Sequence, residues 1–88
     1  MEEKIKKFIE DNNLDFTSEG SGLNSNCVIL VGYALYIGIT DFGILKDSII
    51  NIIESEVYME LARVFIYADE HNYGDWWKYE EAHKMYKF

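Results

Sequence analysis

The 88-residue sequence contains no proline, one cysteine and eight basic residues, and each shortage excludes a class of structure or partner. A chain without proline lacks the commonest breaker of helices. The single cysteine, Cys27, excludes an internal disulfide framework and a four-cysteine zinc site. Sixteen acidic residues against the eight basic ones give a net charge of −8. This charge disfavours direct binding to nucleic acid or to an anionic membrane.

The length and composition predict one folded domain over residues 1–88. Hydrophobic residues make up 49% of the chain and aromatic residues 16%, whereas disordered chains are poor in both. A chain of this length buries about 60–65% of its unfolded surface, enough for one core. The start, Met1–Lys4, is charged, unlike a signal peptide, and the longest apolar run, 27–39, is too short to span a bilayer as a helix. We therefore expect a cytoplasmic protein with a reduced Cys27.

Apolar residues recur at helical spacing along most of the chain, which predicts an all-α domain of about five short helices. A Gly/Ser-rich loop is expected over 13–24, where protease should cut first. The predicted helical segments are 2–12, 27–38, 41–54, 55–72 and 76–85.

Residues that favour helix ends are expected to separate these segments. Ser25 or Asn26 is expected to begin the second segment and Gly38 to end it, while Thr40 or Asp41 begins the third. Before the last helix, Gly74 is expected to act as a stop and Asp75 as the new N-cap.

The apolar run from Cys27 to Ile39 also allows a second fold. Valine, isoleucine and tyrosine favour strands, and neither alternating face of the run is polar. The alternative is therefore an α+β domain in which 27–38 and 63–68 form a small sheet. A strand at 63–68 is inconsistent with the helical spacing of apolar residues over 55–72, so the all-α interpretation is preferred.

Cys27 is the candidate nucleophile. It lies where the second helix is expected to begin, and a helix N-terminus lowers the pKa of a thiol. The segment 26–39 resembles the nucleophile helix of papain-like and bacteriocin-processing cysteine peptidases, which implies a small thiol enzyme using Cys27 with His71 or His83. A buried structural thiol is the preferred interpretation. We therefore predict no catalytic residue, no cofactor, no metal site and no enzymatic activity.

Acidic residues are concentrated in the second half of the chain. The segment 54–81 holds eight carboxylates against Arg63 and Lys78, so it carries −6 of the total −8. If 55–72 is helical, Glu56, Glu60 and Glu70 are expected near one another on the exposed side. Such an array can imitate a phosphate backbone and occupy a basic nucleic-acid-binding groove. The alternative interpretation is a solvated face that only keeps the protein soluble.

Six aromatic residues lie among the last sixteen positions and include the adjacent Trp76 and Trp77. Adjacent side chains diverge by about 100° on a helix, so the two rings are expected in different environments. Trp76 shares its stripe with Tyr79 and Tyr86 and is predicted to anchor the core. Trp77 is predicted to be the more exposed ring, available to a partner, because tryptophan and tyrosine are common among interface hot spots.

These features predict a small acidic protein-binding module, an inhibitor or adaptor that docks on a basic, nucleic-acid-handling surface of a larger protein. In size and acidity the chain resembles phage-encoded host-takeover proteins such as anti-restriction and anti-CRISPR inhibitors, which implies the host cytoplasm as its location. A structural homo-oligomer, such as a homodimer, is the other alternative. The predicted partner-binding residues are Glu56, Glu60, Glu70, Tyr73, Asp75, Trp77, Glu80 and Glu81.

Overall fold

The helices follow the predicted order. The computed structural model of the protein describes residues 2–17 and 22–88, of which 72% are helical and none form a strand. The all-α prediction is confirmed, and the alternative with strands at 27–38 and 63–68 is wrong. The α-helices are α1 (Glu2–Asp11), α2 (Leu23–Tyr36), α3 (Phe42–Ile49), α4 (Tyr58–Glu70) and α5 (Glu80–Met85), and two 3-10 segments cover Ser55–Val57 and Tyr73–Lys78.

α2 is the central helix. It packs against α4 and also against the second 3-10 segment, Tyr73–Lys78. Because other elements cover α2 on two sides, its sequence has no polar face. Hydrophobic periodicity alone therefore cannot distinguish a helix from a strand in this segment. The radius of gyration is 11.8 Å, close to the ~12 Å of a folded chain of this length. The largest fully buried side chains are Phe8, Ile5, Leu30, Ile39, Leu45, Ile49, Leu61, Val31 and Val57.

Two predicted helix ends are confirmed. Gly38, just beyond α2, has a φ of 99°, a left-handed conformation that glycine adopts without strain. The carboxylate of Asp41 accepts a hydrogen bond from the backbone N–H of Gly43 at 2.8 Å. Asp41 therefore caps α3, which ends at Ile49, earlier than the predicted residue 54.

The predicted start of α2 is wrong. The helix begins at Leu23, whose side chain packs against the core, so the apolar surface of α2 starts before Cys27. Asn26 does not cap the helix; its side-chain amide donates to the backbone carbonyl of Asp15 at 2.7 Å. Cys27 accordingly lies in the second turn of α2 rather than at its N-terminus.

The predicted boundary before the last helix is also wrong. Asn72, rather than Gly74, takes the left-handed conformation after α4, with a φ of 56°, which asparagine tolerates better than most residues. Gly74 and Asp75 instead lie inside the second 3-10 segment. A Cβ on Gly74 would lie 3.1 Å from the backbone nitrogen of Tyr36, so this glycine permits the close approach to α2.

Trp76 and Trp77 are oriented opposite to the prediction. Trp77 is 3% exposed and packs over Gly32 of α2, whereas Trp76 is 36% exposed. The prediction assumed a continuous helix from 76 to 85, but residues 73–78 are 3-10 and Tyr79 is extended, with a ψ of 152°. The stripe expected to join Trp76 to Tyr86 along one helix is therefore interrupted.

Residues 18–21 of the predicted 13–24 loop lie outside the described residues, so first cleavage by protease in that loop stays a prediction. In the described part of the chain, every helix is too short or too polar to cross a bilayer.

Candidate protein-binding surface

An aromatic cluster lies where α4 ends. The rings of Tyr67 and His71 are stacked with centroids 4.0 Å apart, and Tyr73 meets Tyr67 edge-on at 5.6 Å. Tyr67 lies in the last turn of α4, and His71, four residues later, directly follows the helix, so their side chains lie on the same side. The Nδ1 atom of His71 lies 2.8 Å from the backbone carbonyl of Tyr67 and fixes the imidazole. We call Tyr67, His71 and Tyr73 the aromatic cluster.

An apolar pocket of about 260 Å³ adjoins Tyr73, the third member of that cluster. The ring of Trp76 is nearly perpendicular to those of Trp77 and Tyr86, at centroid distances of 5.2 and 6.1 Å. Ligand pockets for drug-sized molecules start at about 300 Å³, so this volume suits a single side chain of a partner. The pocket is lined by Val28, Ile29, Gly32, Tyr73, Trp76, Trp77 and Tyr86.

A second pocket of about 260 Å³ contains carboxylates and, like the apolar pocket, is lined in part by the second 3-10 segment. Asp75 pairs with Lys78 at 3.0 Å, whereas Asp69 has no cation within 4 Å among the described residues. This pocket therefore presents negative charge beside the apolar one. It is lined by Leu35, Tyr36, Thr40, Asp69, Asn72, Gly74, Asp75 and Lys78.

The remaining predicted carboxylates are exposed but dispersed. Glu56 lies in the first 3-10 segment and Glu70 is the last residue of α4, while Glu80 and Glu81 form the first turn of α5. Glu80 is 3.6 Å from Lys84, a solvent-exposed pair of small energetic consequence. These carboxylates are therefore distributed over three elements rather than gathered in one cluster.

The expectation that Glu56, Glu60 and Glu70 lie near one another is wrong for two reasons. Glu70 lies ten residues beyond Glu60 on α4, about 15 Å along the helix axis. Glu60 is half-buried and accepts hydrogen bonds from Arg63 at 2.7 and 2.9 Å and from the amide of Asn24 at 2.8 Å. These bonds hold the pKa of Glu60 below its usual value. Glu60 thus ties α4 to α2 and is not a bare surface charge.

The structure brings together only part of the predicted site. Tyr73 and Trp77 line one pocket, but Trp77 is buried and the exposed tryptophan beside it is Trp76. Sequence reasoning also missed the contributions of Tyr67 and Asp69. The spacing of four between Tyr67 and His71 was a usable signal for the cluster, because residues so spaced are neighbours on a helix.

The outward face of α4 carries apolar side chains as well. Met59 is 83% exposed and Ile66 is 61% exposed. They are seven residues apart and therefore share one helix face. We call Met59 and Ile66 the outer stripe of α4.

Cys27 lies in an environment that opposes nucleophilic chemistry. Its side chain is completely buried, and burial, together with the negative charge of Glu60, raises the pKa of the thiol to about 12. Both histidine rings stack on other aromatic rings, His71 on Tyr67 and His83 on Phe88 at 4.3 Å. The thiol therefore stays protonated at neutral pH.

Metal-ligand residues do not converge within residues 2–17 and 22–88, where no group of three or more His, Cys, Asp or Glu could hold an ion.

No family model matches the chain, and neither curated proteins nor solved structures give a match.

Proposed function

We propose that this chain is a small acidic protein-binding module, an inhibitor or adaptor, that docks on a basic surface of a larger protein. The docking surface consists of the end of α4 and the second 3-10 segment. The observation that carries the proposal is the apolar pocket walled by Trp76 and Tyr73, next to a pocket containing Asp69 and Asp75.

The two pockets supply different parts of the binding energy. An aliphatic or aromatic side chain of the partner enters the apolar pocket, where water is excluded and tryptophan and tyrosine serve as hot spots. The carboxylates around it meet basic groups of the partner, which accelerates association and selects the orientation of docking. Asp69, Glu70 and Asp75 are all exposed and contribute this charge.

A homo-oligomer is a second candidate, and the outer stripe of α4 favours it. Met59 and Ile66 are apolar and exposed at heptad spacing, the spacing through which helices pair in coiled coils. A mass measurement in solution tests this candidate. A monomer at all accessible concentrations would eliminate it without affecting the docking proposal.

Affinity capture with matched charge variants tests the docking proposal. The surface variant carries Asp69→Asn, Glu70→Gln and Asp75→Asn, all at exposed positions of the docking surface. Its control carries Glu2→Gln, Glu3→Gln and Glu10→Gln, the same change in net charge on exposed positions of α1. Glu60 is left intact in both because it joins α4 to α2.

Each protein is immobilised and exposed to a lysate of the source cells, and captured proteins are quantified by mass spectrometry. We expect at least one protein that the unmodified chain and the α1 control retain and that the surface variant loses by tenfold or more. Raised salt should weaken the same capture because exposed charges are screened. If both charge variants capture the same proteins in the same amounts, the docking proposal is wrong.

The apolar pocket is tested with a second pair of variants. Trp76→Ala removes one wall of the pocket, while Tyr79→Ala removes an exposed ring that does not line it. Capture of the partner should fall with Trp76→Ala and persist with Tyr79→Ala. Equal capture by both would assign the binding to charge alone.

A further inference from the structure

A groove of about 410 Å³ lies between α1, the end of α2 and the C-terminal residues, and it shares Tyr36 with the pocket that contains Asp69 and Asp75. α1 contributes Lys4 and Lys7, one helical turn apart on the same face. The groove is lined by Lys4, Lys7, Phe8, Asp11, Tyr33, Tyr36, Ile37, His83, Lys87 and Phe88.

The groove is positively charged in a chain whose net charge is −8. Three lysines and one aspartate line it, and these four side chains sum to a net charge of +2. Lys7 is 3.8 Å from Asp11, but Lys4 and Lys87 have no carboxylate within 4 Å among the described residues. Two ammonium groups are therefore available at its rim for an anion.

Aromatic rings provide the apolar part of the groove. Tyr33 stacks on Phe8 at 3.9 Å and meets Phe88 edge-on at 5.8 Å. Phe88 also meets Tyr36 at 5.8 Å and 86°, and both rings are more than one-third exposed. Exposed rings set at right angles offer both a face and an edge to a planar guest.

The segment that carries Lys87 and Phe88 is held in place. The Asn12 side chain accepts from the backbone N–H of Lys87 at 2.8 Å and donates to its carbonyl at 2.9 Å. His83 stacks on Phe88 from α5. These contacts fix the backbone of the C-terminal residues beside α1. The conformational entropy of ordering the groove is therefore lost during folding rather than on ligand binding.

We infer that this groove binds a small aromatic anion, such as a one-ring or two-ring carboxylate or phosphate monoester. The rings of Tyr36 and Phe88 contact the planar part of the ligand, and the ammonium groups of Lys4 and Lys87 bind its acidic group. The volume lies near the lower end of the range for small-molecule pockets, about 300–1,000 Å³, which limits the ligand to this size. This inference is independent of the proposed docking function.

Titration followed by amide chemical shifts tests the inference with three naphthalene probes of different charge. The probes are 1-naphthyl phosphate, neutral 1-naphthol and cationic 1-naphthylmethylamine. We expect naphthyl phosphate to bind at least tenfold more tightly than the other two and to shift the amides around Lys4, Tyr36 and Phe88. Equal affinity for the phosphate and for naphthol would overturn the inference. So would shifts centred on Val28 and Trp76 in the apolar pocket.

A pair of double variants identifies the lysines responsible. Lys4→Gln with Lys87→Gln should weaken binding of naphthyl phosphate by tenfold or more. Lys6→Gln with Lys84→Gln makes the same change in net charge at exposed lysines that do not line the groove, and it should change affinity less than twofold. Equal losses in the two double variants would mean that only overall charge matters, and the groove would then not be the site.

Discussion

The side-chain amide of Asn12 forms two hydrogen bonds with the backbone of Lys87, a residue 75 positions away in the sequence. The same Nδ2 atom also donates to the carbonyl of Phe8 at 2.9 Å, within α1. Asn12 therefore forms hydrogen bonds both within the last turn of α1 and with the C-terminal residues, which it holds against that helix.

Replacement of Asn12 by alanine should release this end of the chain. The backbone groups of Lys87 would lose their partner, and we expect a loss of about 1–3 kcal/mol in the free energy of unfolding. Amide hydrogen exchange at Lys87 should accelerate, and urea unfolding should give the energy. Asn51→Ala, at an exposed position, is the control and should leave both values nearly unchanged. Unaltered exchange at Lys87 in Asn12→Ala would contradict the attachment.

Gly32→Ala should destabilise the protein even though alanine favours helices. A Cβ at this position would lie 2.5 Å from Nε1 of Trp77, so the buried indole would have to move. Overpacking costs about 1–3 kcal/mol, which outweighs the gain of roughly 0.5–1 kcal/mol from helix propensity. Chemical unfolding monitored by tryptophan fluorescence measures the balance.

Gly43→Ala provides the comparison within α3. The added methyl group there would lie 3.4 Å from Oδ1 of Asp41, close to an ordinary contact distance. Stability should be unchanged or slightly raised. A more stable Gly32→Ala would show that Trp77 does not press on α2.

The two tryptophans should differ in both stability and quenching. Trp77→Ala should cost about 3–5 kcal/mol because it empties a buried site, whereas Trp76→Ala should cost less than about 1 kcal/mol. Iodide should quench the Trp77→Phe protein, which retains Trp76, more strongly than the Trp76→Phe protein. The reverse order would restore the orientation that the sequence pattern predicted.

Cys27 should be inert in the native protein and should make stability depend on pH in alkaline solution. Burial raises the pKa of this thiol from 9.0 to about 12, so the unfolded chain releases its proton before the folded chain does. The contribution of the neutral thiol is therefore complete below pH 9 and is lost as pH rises towards 12, by about 1.4 kcal/mol per pH unit.

This effect is isolated by measuring the free energy of unfolding at several pH values from 8 to 11. The measurement is made on the unmodified protein and on Cys27→Ala. The stability difference between the two proteins should narrow above pH 9, because the variant lacks the titrating group. Iodoacetamide should label the thiol slowly at pH 8 in the native state and quickly in denaturant. Rapid native labelling at low pH would instead show a thiolate and revive the thiol-enzyme hypothesis.

Local patterns predicted most of the fold. The stripe of Ile5, Phe8 and Ile9 gave α1, and Asp41 marked the start of α3. These features depend on neighbours in the sequence, so periodicity and capping residues carry the information.

The boundaries and orientations that were wrong depend on contacts between distant segments. The sequence pattern predicts Gly74 as a helix stop, but the structure requires glycine there because the second 3-10 segment touches the backbone of α2. Likewise, Trp77 is buried because Gly32 leaves room for it on another helix. No spacing within residues 73–88 contains that information, so the candidate site was only partly recovered.

The central position of α2 also has a consequence during synthesis. Its apolar surface is covered by α4 and by residues 73–78, all of which leave the ribosome after it. Until those segments emerge, the nascent chain displays an uncovered apolar helix, the kind of surface on which aggregation begins. The period in which α2 can aggregate with other nascent chains therefore ends only when residues 73–78 have emerged and packed against it.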